Sequence, residues 1–136
     1  MVIRDHPHSR GLVLVVEDND GMRQAIDNLL DAAGFSGIAY SRAEDLFAEG
    51  RIDDALCVIS DIKLPAMSGF ELMTALRERG TPTPVILITA IDGPATRSKA
   101  RRHGAAAYLA KPFPGSALLG AIEGVIGLES SKRRSI

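Results

Sequence analysis

The chain has 136 residues, 46% hydrophobic and 24% charged, and its 16 Lys+Arg against 17 Asp+Glu leave a formal net charge of −1. Such a length and balance describe one soluble globular domain with enough core to fold alone, and they exclude a broad basic face for nucleic acid or an anionic membrane. The longest apolar runs, about five residues, fall far short of the ~20 that span a bilayer, residues 1–10 lack the apolar segment of a secretory signal, and a single cysteine cannot close an intrachain disulfide; the expected location is cytoplasmic.

After a polar tail over residues 1–10, residues 11–16 (GLVLVV) read as a strand buried on both faces. The run ends abruptly in Glu17, Asp18, Asn19 and Asp20, where Asn19 or Asp20 can cap a helix. Met22, Ala25, Ile26, Leu29, Leu30 and Ala33 then recur at helical spacing up to Gly34. Residues 35–40 form a weaker second strand. Ser41 opens a second helix running to about Glu49, with Glu44 placed for a capping box. Residues 56–60 (LCVIS) are a third strand ending at Asp61, followed by a loop with Pro65 and a helix from Gly69 to Gly80. Residues 84–88 (PVILI) are a fourth buried strand ending at Thr89. The next helix, over residues 93–103, carries Arg97, Lys99, Arg101 and Arg102, a basic face that is either solvated or a partner surface. A fifth strand over residues 106–110 ends at Lys111-Pro112, and a final helix runs from Pro114 to about Gly127 before a tail that reads as frayed.

Five βα repeats with short connections predict an α/β domain: a doubly wound (βα)5 unit whose five-stranded parallel sheet has helices on both faces. Ligands of such sheets bind at the carboxyl ends of the strands. There the chain delivers Glu17, Asp18, Asp61, Thr89 and Lys111. Three neighbouring carboxylates repel and raise one another's pKa unless a cation neutralises them. Mg²⁺, a hard ion that takes carboxylate and carbonyl oxygens, is the natural one. A carboxylate nucleophile beside Mg²⁺, a lysine and a hydroxyl is equipment for phosphoryl transfer to an aspartate.

The stretches LVLVVEDND, SDIKLPAMSGFEL, PVILITA and AAAYLAKPF stand in the order and at about the spacings of the receiver domain of two-component response regulators, the CheY-like family, which the chain resembles over roughly residues 11–127. The resemblance implies strand order 2-1-3-4-5 and a domain over 11–127 between tails at 1–10 and 128–136. It makes Asp61 the phosphoacceptor, with Asp18, Asp61 and the Lys63 backbone carbonyl as Mg²⁺ ligands and Glu17 acting beside them through a water. Thr89 and Tyr108 become the switch pair, Lys111 the partner of the phosphoryl oxygens, and Pro112 the residue after a cis peptide bond. The implied function is a receiver in a phosphorelay. It takes a phosphoryl group from a histidine kinase or histidine phosphotransfer protein. It then reshapes the surface of its fourth helix, fifth strand and fifth helix for a downstream protein target.

No membrane or direct nucleic-acid contact is expected, the only catalysis is of the chain's own phosphorylation and dephosphorylation, and phosphorylation can drive homodimerisation. The tails leave no room for an output domain, so the effect is expected to pass through a partner or through a part not in this chain. Two other readings stay open: a pseudo-receiver acting as a phosphorylation-independent interaction module, and the receiver fragment of a DNA-binding regulator. The chain departs from the family in its Glu-Asp acid pair, in Lys63 and Ile91 at variable places, and in Ala66 where glycine is common. Lys63 is expected to set the phosphoryl lifetime. Cys57 reads as a small core hydrophobe, His103 as a helix C-cap, and His6 and His8 as a solvated pair.

Overall fold

The computed structural model describes residues 3–4, 9–49 and 51–134, which leaves His6 and His8 outside the described residues. Its strands are β1 (Ile3–Arg4), β2 (Leu12–Val16), β3 (Ser36–Tyr40), β4 (Ala55–Asp61), β5 (Val85–Thr89) and β6 (Ala107–Ala110). Its helices are α1 (Asp20–Ala32), α2 (Ala43–Glu49), α3 (Gly69–Glu78), α4 (Pro94–Arg102) and α5 (Gly115–Arg134), with one 3₁₀ turn at Ile52–Asp54. The sheet order is β1-β3-β2-β4-β5-β6. Strands β3, β2, β4, β5 and β6 are parallel, giving the expected 2-1-3-4-5 order of the five repeats.

The alternation within β2 shows how one strand builds two cores. Leu12, Leu14 and Val16 join Leu46 of α2, Leu72, Met73 and Leu76 of α3 and Ala100 of α4 on one face. Val13 and Val15 join Ile26 and Leu30 of α1 and Leu118, Ile122 and Val125 of α5 on the other. Every residue of β2 and of β5 is buried, which is why both read as unbroken apolar runs rather than alternating ones. Cys57 lies in the second core, fully buried, and burial pushes its thiol up to about 12. It packs as the hydrophobe its position suggests.

Local signals explain most element ends. Asn19 caps α1, its Oδ1 accepting from the Met22 N–H at 2.8 Å. Gly34, just past the end, takes φ +88, a left-handed turn that glycine adopts at little cost. A full capping box starts α3, with Ser68 Oγ accepting from the Glu71 N–H and Glu71 accepting from the Ser68 N–H. The C-cap of α4 is His103, whose Nδ1 lies 3.0 Å from the Lys99 carbonyl oxygen.

Three expectations are corrected. The N-terminal stretch is not all tail, because Ile3 and Arg4 pair antiparallel with Ile38 and Gly37 and cover part of the sheet edge. Helix α2 begins at Ala43 rather than Ser41, and Glu44 pairs with Arg42 at 3.6 Å while its Oε1 has no hydrogen-bond partner. Helix α5 runs on to Arg134 instead of fraying after Gly127; its Glu, Ser, Lys and Arg tail residues form helix readily once a packed turn has nucleated it.

The start of α3 also fixes the loop after β4. The Gly69 N–H donates to the Ile62 carbonyl at 2.8 Å, and a Cβ at Gly69 would come within 2.5 Å of the Asp61 carbonyl oxygen. Gly69→Ala should therefore destabilise the protein by about 1–3 kcal/mol, because the clash is with backbone and cannot be relieved by a rotamer change. Urea unfolding measures it, and a loss below about 0.5 kcal/mol, the usual range of surface changes, would contradict the close approach.

Candidate functional site

The carboxyl ends of the parallel strands share one edge. Glu17 and Asp18 follow β2, Asp61 closes β4, Thr89 closes β5 and Lys111 follows β6. Oxygens of Glu17, Asp18 and Asp61 lie within 4.8 Å of one another. The Lys111 ammonium bridges two of them, donating to Glu17 Oε1 at 2.6 Å and to Asp61 Oδ2 at 2.9 Å.

Glu17 is wholly buried. Its Oε2 accepts from the Asn19 N–H at 3.1 Å, so both carboxylate oxygens already have protein donors. Glu17 holds Lys111 and the first turn of the β2–α1 loop, as a longer side chain buried beneath the site can. Burial pushes its carboxyl above the ordinary carboxylate range, and the Asp61 charge adds to the rise. The hydrogen bonds from Lys111 and Asn19 offset part of it. Mutual repulsion of the acids is thus the lesser cause of the shift. Burial also works against the Lys111 ammonium, but its bonds to Glu17 and Asp61 outweigh that and hold its pKa above the ordinary lysine value.

Asp18 is exposed, and together with Asp61, Lys63, Thr89 and Ile91 it lines an open cleft of about 470 Å³. The Lys63 N–H donates to Asp61 Oδ1 at 3.2 Å, while its side chain is exposed at the rim. Three carboxylates, one of them open to water, fit a hard divalent cation that keeps part of its hydration shell. The loop flanking the cleft contains Ala66 at φ +64, a left-handed conformation that strains any residue with a Cβ and that glycine would adopt freely.

Thr89 is 2% exposed, and its hydroxyl is tied to its own loop, accepting from the Ile91 N–H at 3.0 Å. Tyr108, half-buried on β6, donates its hydroxyl to Asp92 Oδ1 at 2.9 Å. Asp92 also accepts from Arg97 at both oxygens, 2.8 and 2.9 Å, and the guanidinium lies 5.0 Å from the Tyr108 ring centroid. Bonds from Arg97 and then Tyr108 hold the Asp92 carboxyl at about 2. The Lys111-Pro112 peptide bond is cis, as expected. Asp92 was not foreseen, since an exposed acid between a strand and a helix belongs to no periodic pattern. The Ser68-x-x-Glu71 box was not read either, although its spacing is the signature of a capping box.

The buried ion pairs generate a pH prediction. A group whose folded pKa is raised favours folding most below its unfolded pKa and loses that contribution as pH rises through the folded value. For Lys111 the stabilisation is complete below 10.5 and disappears above it. Lys111→Met leaves Glu17 buried without its cation. It should cost about 2–3 kcal/mol at neutral pH, less than a fully dry pair because Lys111 and Asp61 keep some contact with water. The deficit should shrink as pH falls through the raised pKa of Glu17, above 4.5, where the buried carboxyl takes up a proton. Urea unfolding from pH 4 to 8 checks this, and a deficit independent of pH would refute it.

Comparison with known proteins agrees with this geometry. Residues 13–123 match the response regulator receiver domain family. The chain is 30% identical over 122 residues to the transcriptional regulatory protein FixJ of Azorhizobium caulinodans, covering 90% of this chain and 58% of that protein. It is 37% identical over 110 residues to the C4-dicarboxylate transport transcriptional regulatory protein DctD of Pseudomonas aeruginosa, covering 81% of this chain and 24% of that one. Among solved structures, Vibrio cholerae chemotaxis protein CheY4 superposes with a TM-score of 0.78 at 28% identity, over 85% of this chain and 98% of that one. The chain thus spans little more than half the length of FixJ. It belongs to the response regulator receiver domain family.

Proposed function

We propose that the chain is a phosphoacceptor receiver whose reacting group is Asp61. The observation that carries this reading is the placement of Asp61 on the wall of an open cleft, one carboxylate oxygen held by Lys111 and the other by the Lys63 N–H. These contacts fix the carboxylate and leave its face toward the cleft. In the proposed reaction an Asp61 oxygen attacks the phosphorus of a phosphohistidine in line; the P–N bond breaks as the O–P bond forms, and the departing imidazole takes up a proton. The Lys111 ammonium, already within 2.9 Å of Asp61, offsets charge on the transferred group. Asp18, Asp61 and the Lys63 backbone carbonyl, with Glu17 beside them, would hold Mg²⁺, which when bound neutralises charge developing on phosphoryl oxygens. The product is an acyl phosphate that water hydrolyses. The chain needs no substrate beyond the phosphoryl donor, and its chemistry is confined to its own aspartate.

The added charge, about −1.5 to −2, is read by Thr89. Its hydroxyl has to leave Ile91 to reach a phosphoryl oxygen, and Tyr108 answers from β6, altering the surface of α4, β6 and α5. We take residues 11–127 as the receiver unit and a histidine kinase or histidine phosphotransfer protein as the donor. FixJ and DctD are named as transcriptional regulators, which supports an output that controls transcription through a partner or a linked segment. Among the described residues no helix is long and apolar enough to cross a membrane, in keeping with a cytoplasmic place for the reaction.

With Mg²⁺ and acetyl phosphate, intact mass should show one added phosphate that hydroxylamine removes, and Asp61→Asn should take none. An unlabelled wild type, or label surviving in Asp61→Asn, would overturn the assignment. Lys63→Ala, which removes the ammonium screening the cleft rim, should shorten the lifetime of the acyl phosphate after donor removal; an unchanged lifetime would exclude that role.

A further inference from the structure

The loop after β5 binds both proposed switch residues at once. Thr89 is held by the backbone of Ile91, and one residue later Asp92 receives the Tyr108 hydroxyl. Asp92 is itself clamped by Arg97 from the first turns of α4, and Arg97 lies over the Tyr108 ring. The four groups form a closed circuit: hydroxyl to carboxylate, carboxylate to guanidinium, guanidinium to ring. Tyr108 cannot turn without giving up the Asp92 bond, and Thr89 cannot leave Ile91 without freeing the Ile91 N–H next to Asp92.

We propose that Asp92 is a positioning residue that clasps Tyr108 in the resting receiver and is withdrawn when the loop follows Thr89, so that the clasp sets the resting balance of the switch. This inference rests on the reading of Thr89 and Tyr108 given above and assigns the regulation of that same site. Removing the clasp raises the fraction of molecules already in the responsive state, and phosphorylation rate rises with that fraction.

The test uses the full chain. It has two tyrosines and no tryptophan, and the Tyr40 hydroxyl is buried without a hydrogen-bond partner, so Tyr40→Phe removes nothing that is bonded and leaves Tyr108 as sole tyrosine. With fluorotyrosine incorporated in that background, Asp92→Ala should shift the Tyr108 fluorine resonance in the unphosphorylated protein. It should also raise the acetyl phosphate labelling rate by about two- to fivefold, the size that an exposed charge pair can supply. Asp92→Asn keeps an oxygen for the hydroxyl but not the pair with Arg97, and should fall between wild type and Asp92→Ala. Tyr108→Phe alone should raise the rate, and adding Asp92→Ala should raise it no further. An unmoved resonance in Asp92→Ala, or rate effects that simply multiply in the double variant, would overturn the clasp. Were no protein labelled at all, the proposed function would fall, while the resonance in unphosphorylated protein would still decide whether Asp92 holds Tyr108.

Discussion

The Lys111 ammonium, shared between Glu17 and Asp61, is the interaction on which the site depends. It links three strands that are distant in sequence: β2 through Glu17, β4 through Asp61 and β6 through Lys111 itself. None of the three charges is tolerable alone at this depth, for Glu17 is fully buried and the Lys111 side chain is 14% exposed. Together they cancel most of the cost of desolvation. The sheet edge is thereby held with one carboxylate, Asp18, facing water and another, Asp61, fixed in orientation. An acid pair of two aspartates would reach less deeply. The extra methylene of Glu17 lets its carboxylate lie beneath the cleft and take donors from Lys111 and Asn19, leaving Asp18 to face solvent.

The doubly wound architecture was legible because physical necessity leaves a strong trace at that scale. Strands buried on both faces must be apolar throughout, as residues 12–16 and 85–88 are, and helices that cover them must show the spacing of Ile26 and Leu30 or Leu118 and Ile122. The convergence of Glu17, Asp18, Asp61, Thr89 and Lys111 followed from topology, since parallel strands put all their carboxyl ends together. What escaped notice depends on weaker or nonlocal forces. A two-residue strand such as Ile3–Arg4 has no periodicity to read and exists only because the edge of β3 offers it hydrogen bonds. The far end of α5 is polar enough to look like a tail and is helical by continuation from a packed beginning. That Glu17 would be fully buried and take donors from Lys111 and Asn19 could not be seen, because burial is a property of the assembled sheet.

The division of labour between rigid and movable parts follows from the same packing. All residues of β5 are buried and Thr89 is 2% exposed, so the strand cannot shift without disturbing both cores. Immediately beyond it the chain is exposed: Ile91 is 60% exposed, the one large hydrophobic side chain so open among the described residues, and Asp92 lies on the surface beside it. The loop over residues 90–93 is thus the loosely packed segment next to a tightly packed strand end.

That loop touches β6 and α4 rather than the sheet interior. Asp92 meets Tyr108 on β6 and Arg97 on α4, so any displacement of the loop is felt by both elements at once. The basic residues of α4 do not act alike in this arrangement. Arg97 is paired with Asp92 and Lys99 lies 4.6 Å from the centre of the Phe70 ring, and both are exposed, as are Arg101 and Arg102. A partner reading the α4 surface would thus meet open charges at the end of the helix and a loop-paired charge at its start. Buried strands carry the site, and a surface carboxylate ties the loop beside it to β6 and α4.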